Sequence, residues 1–163
     1  MASISDALVQ QLLGGRYIAS LATESSGNAI HMVAVWYWFD GAKIYVATSS
    51  RSRKARNLQS NSKVSLMVDS RDPAASFGAT VTGTAKTLSG DSSKEKNLRI
   101  HSKYLNAAAL ADPRVGPVFA AWDDVTLEIT PSAVILWDMR VADAQVFGGA
   151  FKSNPGYLLP LER

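Results

Sequence analysis

No cysteine occurs among the 163 residues. That excludes a disulfide framework, a thiolate metal site, an iron–sulfur cluster and a cysteine nucleophile together. Histidine is nearly as scarce: only His31 and His101 are present, too few to suggest a catalytic zinc or a Ser-His-Asp arrangement. No apolar run approaches the roughly 18 residues of a membrane span. Met1-Ala2-Ser3-Ile4-Ser5-Asp6 lacks a basic leader before an apolar stretch, so a cytoplasmic location with no membrane association is expected. There is no internal repeat, low-complexity segment or P-loop signature. The length, with 47% hydrophobic residues, suits a single domain over residues 1–163 with one sizeable core.

A further absence is local. Between Asp40 and Asp69 there is no carboxylate, while Lys43, Arg51, Arg53, Lys54, Arg56 and Lys63 all fall there. This segment carries about +6 in a chain whose net charge is +3, so the remainder is net acidic. Localised charge among the hydroxyls of Thr48, Ser49, Ser50 and Ser52 favours a small phosphorylated ligand over a nucleic acid. The turn sits between a strand end and a helix start, where free backbone N–H groups and the helix dipole attract anions. Arg and Lys add charge-assisted bonds. A solvated basic helix is the plain alternative.

The pattern along the chain predicts a helix from Ser3 or Ser5 to Leu13, ended by Gly14-Gly15. Strands are expected over 16–23 and 29–39, then a turn at Asp40-Gly41 into a strand over 43–48. Residues 29–39 are apolar on both faces, so the strand should be buried on both sides or have one side against a ligand or partner. The basic helix follows, capped by Ser50 or Ser52 and ending near Asn61. Strands are predicted over 63–69 and 78–88, with an Asp72-Pro73 loop between them and Gly83 marking a bulge or close backbone approach. A helix over 92–110 is followed by strand segments 125–130 and 133–137, broken or bent at Pro131. This order suits a mainly β (β+α) fold, an antiparallel barrel with peripheral helices. The tail, 141–163, is too apolar to be left in water and reads as a strap on the barrel or on a second subunit.

Thr48 to Val68, above all Ser52-Arg53-Lys54-Ala55 followed by Lys63-Val64-Ser65-Leu66, resembles the flavin-phosphate segment of the pyridoxamine 5'-phosphate oxidase superfamily. His31-Met32-Val33-Ala34-Val35-Trp36 resembles the strand along the isoalloxazine ring, and Val81-Thr82-Gly83-Thr84-Ala85 a later strand with its single glycine. The resemblance spans about residues 10–138 in the right order. It implies a split β-barrel with Greek-key-like connections and a homodimer with FMN at the subunit interface. By position it implies that Arg53 and Lys54 bind the cofactor phosphate, helped by Thr48, Ser49 and Ser52, with Arg56 as a supporting cation. His31, Met32, Val33 and Ala34 would meet the ring mainly through backbone, and Trp137 would lie near the flavin.

The departures bear on substrate. True pyridoxamine-phosphate oxidases have a lysine at the Trp36 position and a basic, histidine-containing motif after the last-strand tryptophan. Here the chain reads Trp137-Asp138-Met139-Arg140, leaving Lys103 and Arg140 as candidate anion contacts. The resemblance therefore implies the broader flavin- or deazaflavin-dependent reductase branch, in which the cofactor carries out hydride transfer and the protein binds and orients. Two alternatives are the deazaflavin (F420-type) coenzyme, whose longer anionic tail could use Arg51 and Arg56, and a non-catalytic flavin- or haem-binding protein of storage, sensing or stress response. Trp36, Trp38 and Trp122 read as ordinary core or interface aromatics, His31 as ring contact or satisfied strand histidine, and His101 as structural. Asp123-Asp124 reads as a turn and strand cap. No catalytic residue is identified from sequence.

Overall fold

The computed structural model describes residues 2–72 and 76–160; Pro73 and Leu161 lie outside this range. Seven strands form one sheet: β1 Ala19–Glu24, β2 Ile30–Val35, β3 Trp38–Phe39, β4 Ile44–Thr48, β5 Lys63–Asp69, β6 Phe77–Leu88 and β7 Val125–Asp138. Their order is β2-β1-β5-β6-β7-β4-β3, with every pairing antiparallel. The sheet curls into the half-barrel of a split-barrel fold, with helices at its periphery. Alternation along the strands places Val33, Leu21, Leu66, Val81 and Val134 side by side across five strands, all on the concave face. Burying that row against Val46, Leu127 and Ile129 is what closes the curl. Helix α1, Ala7–Gly14, adds Val9, Leu12 and Leu13 to the core.

The expected 29–39 strand is interrupted. Trp36 and Tyr37 leave the ladder between β2 and β3 because their side chains are claimed elsewhere. The Tyr37 hydroxyl donates to the carbonyls of Leu12 and Gly15, each at 3.4 Å, and Trp36 stacks on Tyr104 at 4.9 Å. Tyr104 belongs to α3, Gly90–Tyr104, and donates its hydroxyl to the Tyr17 carbonyl at 2.6 Å. The predicted 92–110 helix therefore splits: Leu105 ends α3, and the Asn106 side chain accepts from Ala109 N–H to start α4, Ala107–Ala111. Asn competes locally with helical bonding, which favours such a restart. Helix α5 then covers Gly116–Trp122.

The last strand is not broken at Pro131 but bulged. Thr82 faces Ala133 while Gly83 faces Pro131, so Ser132 is the extra residue, and its hydroxyl donates to the Thr82 carbonyl at 3.1 Å. The bulge accommodates a proline that cannot donate to the ladder. In the tail, α6 (Met139–Val146) and α7 (Ala150–Ser153) pack on one another through Phe147 and Phe151. The buried Asp143 carboxylate accepts the N–H groups of Phe151 and Lys152. Val146, Tyr157 and Leu159 remain exposed.

Candidate functional site

The basic run folds as its hydroxyls dictate. Helix α2, Arg53–Ser60, is capped by Ser52, whose Oγ accepts from Ala55 N–H at 3.3 Å and from the Thr48 hydroxyl at 3.0 Å. Both lone pairs of Ser52 are thus engaged, leaving its proton to donate outward. Ser49 Oγ likewise accepts, from Arg51 N–H at 3.2 Å. Ser50 is turned away: its N–H and hydroxyl both bond the Asp124 carboxylate, each at 2.6 Å. Asp124 therefore caps the turn, as expected for one member of the acidic pair.

Beside this turn lies a cavity of about 310 Å³, bounded by Ile18, Ala34 and Trp36, by Thr48 and Lys54, and by Phe119 and Asp123. Lys54 has no ion-pair partner among the described residues. Burial pushes its ammonium below the ordinary lysine range, with Asp123 acting in the opposite sense. Arg51, Arg53 and Arg56 are exposed. The difference is one of helix phase: Lys54 shares the barrel-facing side of α2 with half-buried Leu58, four residues on, whereas Arg53 and Arg56 point to solvent. Leu58, the helix's one large aliphatic residue, is the sequence signal that singles out Lys54.

The remaining sequence-derived residues fall in three places. On β2, Ala34 lines the cavity, Met32 is 67% exposed on the convex face, and Val33 packs against the core. His31 carries a buried Nδ1 with no hydrogen-bond partner among the described residues. Trp137 is on the convex face against Gly78, apart from the cavity. Arg140 is held by Asp138 through two bonds of 2.8 and 2.6 Å.

Lys103 lines a separate groove of about 650 Å³ with Trp38, Arg99 and Gly14. Its Nζ sits 3.8 Å over the Tyr37 ring, while burial, with Arg16 nearby, pushes the ammonium down to about 8. A lysine depressed in the folded state binds fewer protons there than in the unfolded chain between about pH 8 and its ordinary value near 10.4. Stability should therefore rise with pH from 8 to 10 in the native protein, and Lys103→Met should flatten that rise. Urea midpoints at pH 7.5 and 9.5 measure it; parallel changes in both proteins would reject the assignment.

Sequence reasoning missed Phe119. It reaches the cavity from α5, stacked on Trp36 at 5.3 Å, and no local pattern marks it. It also undervalued Asp123, which lines the cavity wall and meets His101 Nε2 at 2.8 Å.

The chemistry at hand is a hydroxyl-rich turn with a half-buried ammonium, next to a slot walled by β2, the end of β4 and two stacked aromatics. Those features fit an anion tied to a flat ring. Comparison of the fold finds the conserved hypothetical protein Rv2991 from Mycobacterium tuberculosis at TM-score 0.71 and 21% identity, over 86% of this chain and 87% of that one. A protein described as an F420 reductase matches at TM-score 0.61 and 22% identity, over 77% and 94%. HutZ, the heme storage protein from Vibrio cholerae, matches at 0.60 and 17%, over 81% and 94%. No curated protein matches by sequence. The family profile for pyridoxamine 5'-phosphate oxidase covers residues 5–138, from α1 to the last residue of β7. The chain thus belongs to the pyridoxamine 5'-phosphate oxidase family.

Proposed function

We propose that this protein is an FMN-binding oxidoreductase that passes a hydride to or from a small molecule. The observation that carries this is Lys54, half-buried and without an ion-pair partner among the described residues, on the wall of an apolar slot at the N-terminus of α2. Lys54, Ser52, Ser49 and Thr48 would hold the phosphate, with Arg53 and Arg56 adding charge at the mouth. The backbone of His31 to Ala34 would run along the ring. When bound, the flavin supplies the two-electron chemistry; the chain binds it, orients it and keeps water from its face. FMN titration followed by flavin fluorescence should give saturable binding with Kd in the micromolar range or below. No saturation with either FMN or the F420-type deazaflavin would overturn the reading.

The second cofactor is favoured by a specific feature. Arg51, Arg53 and Arg56 are all exposed in and just before α2 and would take the longer anionic tail of a deazaflavin. Native mass spectrometry of the purified protein distinguishes the two cofactors and also detects haem, the ligand of the storage alternative.

We further propose that two copies pair through the convex face of the sheet. Ile30, Met32 and Ile135 are 74%, 67% and 61% exposed there, which is more apolar surface than a lone face favours. Trp137, on that same face, belongs to the cofactor only as part of a two-chain site, and the 141–163 tail, with its exposed apolar residues, would strap the partner. Met32→Glu should shift the native dimer to monomer in analytical ultracentrifugation; an unchanged sedimentation coefficient would reject this face.

A further inference from the structure

We propose that the groove beside α3 is a second binding site, which takes a small organic carboxylate with an apolar, ring-sized body. The groove and the cofactor slot share no lining residue, so this site stands independently of the flavin reading.

One face of α3 builds it. Glu95, Leu98, Arg99, Ser102 and Lys103 follow the three- and four-residue spacing of a single helix face, and all of them line the 650 Å³ groove. The side chains that α3 buries are others: Ser93, Asn97, Ile100 and His101. Leu98 is 59% exposed, and with Trp38 and Phe39 across the groove it offers apolar surface to a bound body.

The charge of the site comes from a lysine whose pairing is incomplete. Four lysines are half-buried: Lys43, Lys54, Lys96 and Lys103. Lys43 pairs with Glu128 at 2.8 Å and Lys96 with Glu95 at 3.6 Å. Lys54 and Lys103 form no ion pair among the described residues, and each lines a cavity. The one acceptor of Lys103 among the described residues is the Leu13 carbonyl, at 3.4 Å. A lysine serving only to close the end of α1 would hold that carbonyl at the usual 2.7–3.2 Å or so. An ammonium carries three donors, so two remain for a ligand. Withdrawing it from water without a counter-ion is costly, and an anion in the groove offsets that cost.

The surroundings are net positive. Arg99 and Lys96 lie 5.1 and 5.3 Å from the Trp38 ring centroid, and Arg16 adds to the positive potential at Lys103. Glu95, the one carboxylate on the groove wall, is engaged by Arg99 at 3.2 Å and by Lys96. The end of α1 that reaches the groove, at Gly14, is its C-terminus. Carbonyls at a helix C-terminus repel a phosphate dianion more than a singly charged carboxylate. The slot has the opposite polarity, with the N-terminus of α2 beside it. Helix polarity therefore assigns phosphate to the slot and carboxylate to the groove.

Benzoate is the probe, titrated calorimetrically into the whole protein. It should bind with Kd at or below ~1 mM, an ordinary affinity for so small a ligand. Benzamide, which has the same shape without the charge, and inorganic phosphate should each bind at least ~10-fold more weakly. Lys103→Met keeps the aliphatic stem and should weaken benzoate at least ~10-fold, whereas Lys103→Arg should retain part of the affinity. Amide NMR of the native protein locates the ligand without any variant: shifts should centre on Gly14, Leu98 and Ser102. No saturable benzoate binding, benzamide or phosphate binding as tightly, an affinity unchanged in Lys103→Met, or shifts centred on Ala34 and Thr48 in the slot would each overturn the proposal. FMN titration of the same samples tests the flavin reading separately.

Discussion

Lys54→Ala should weaken FMN binding by about 10- to 100-fold, whereas Arg53→Ala should cost less than ~5-fold. A hydrogen bond to a charged partner contributes about 1.5–3 kcal/mol when water is largely excluded, which sets the first figure. The second follows from exposure: a cation in open solvent acts through screened attraction, with ion-pair energies of about 0–1 kcal/mol. The family resemblance alone weights the two residues equally. Helix phase separates them, since adjacent residues on α2 point about 100° apart and only Lys54 turns to the slot. Lys54→Arg should recover part of the loss by keeping the charge. Raising the salt concentration should erode the Arg53 contribution more than that of Lys54. FMN titrations of the single variants at two salt concentrations decide the matter, and equal losses at both positions would remove Lys54 from its special role.

Gly83→Ala should destabilise the fold by about 3 kcal/mol, the upper end of the usual cost of overpacking. A Cβ built at Gly83 would lie 2.2 Å from the Thr130 carbonyl oxygen and 3.1 Å from the Pro131 Cα, both backbone atoms of β7. Backbone cannot swing aside as a side chain can. Because β6 is held by β5 on its other edge, relief requires shifting the bulge that accommodates Pro131. Gly14 is the internal control: nothing lies within 4 Å of its Cβ position at the end of α1. Gly14→Ala should therefore be neutral or stabilising by up to ~1 kcal/mol. Urea midpoints at unchanged m-value report both effects, and a Gly83→Ala protein as stable as the parent would show that the strand pair can slide.

The elements that were legible in the sequence are those whose cause is local. Alternation at Val64, Leu66 and Val68 marked β5, the serines at 50 and 52 marked the start of α2, where Ser52 is the one that caps, and a lone glycine in a β run marked a bulge or close backbone approach. The misjudged boundaries have non-local causes. Trp36 and Tyr37 are apolar and β-prone, so nothing near them in sequence predicts an interruption; α1, α3 and α5 draw their rings out of the ladder. The break at Leu105 was locally readable, through the capping preference of Asn106, but the surrounding alanines and leucines outweighed it.

By itself, the sequence determined the chemistry on offer: an anion-binding turn, an apolar strand beside it, no thiol and almost no imidazole. It also determined the alternation that obliges the chain to curl around one hydrophobic row, because period-two patterning is a property of neighbours along the strand. Only the tertiary structure decided which of the four clustered cations enters the slot, since that depends on how α2 is rotated against the barrel. It also brought Phe119 and Asp123 to the slot, from segments some fifty or more residues beyond the turn. Their meeting is fixed by the packing of α3 and α5 on the sheet, and no local rule encodes the relative placement of elements so far apart in the chain.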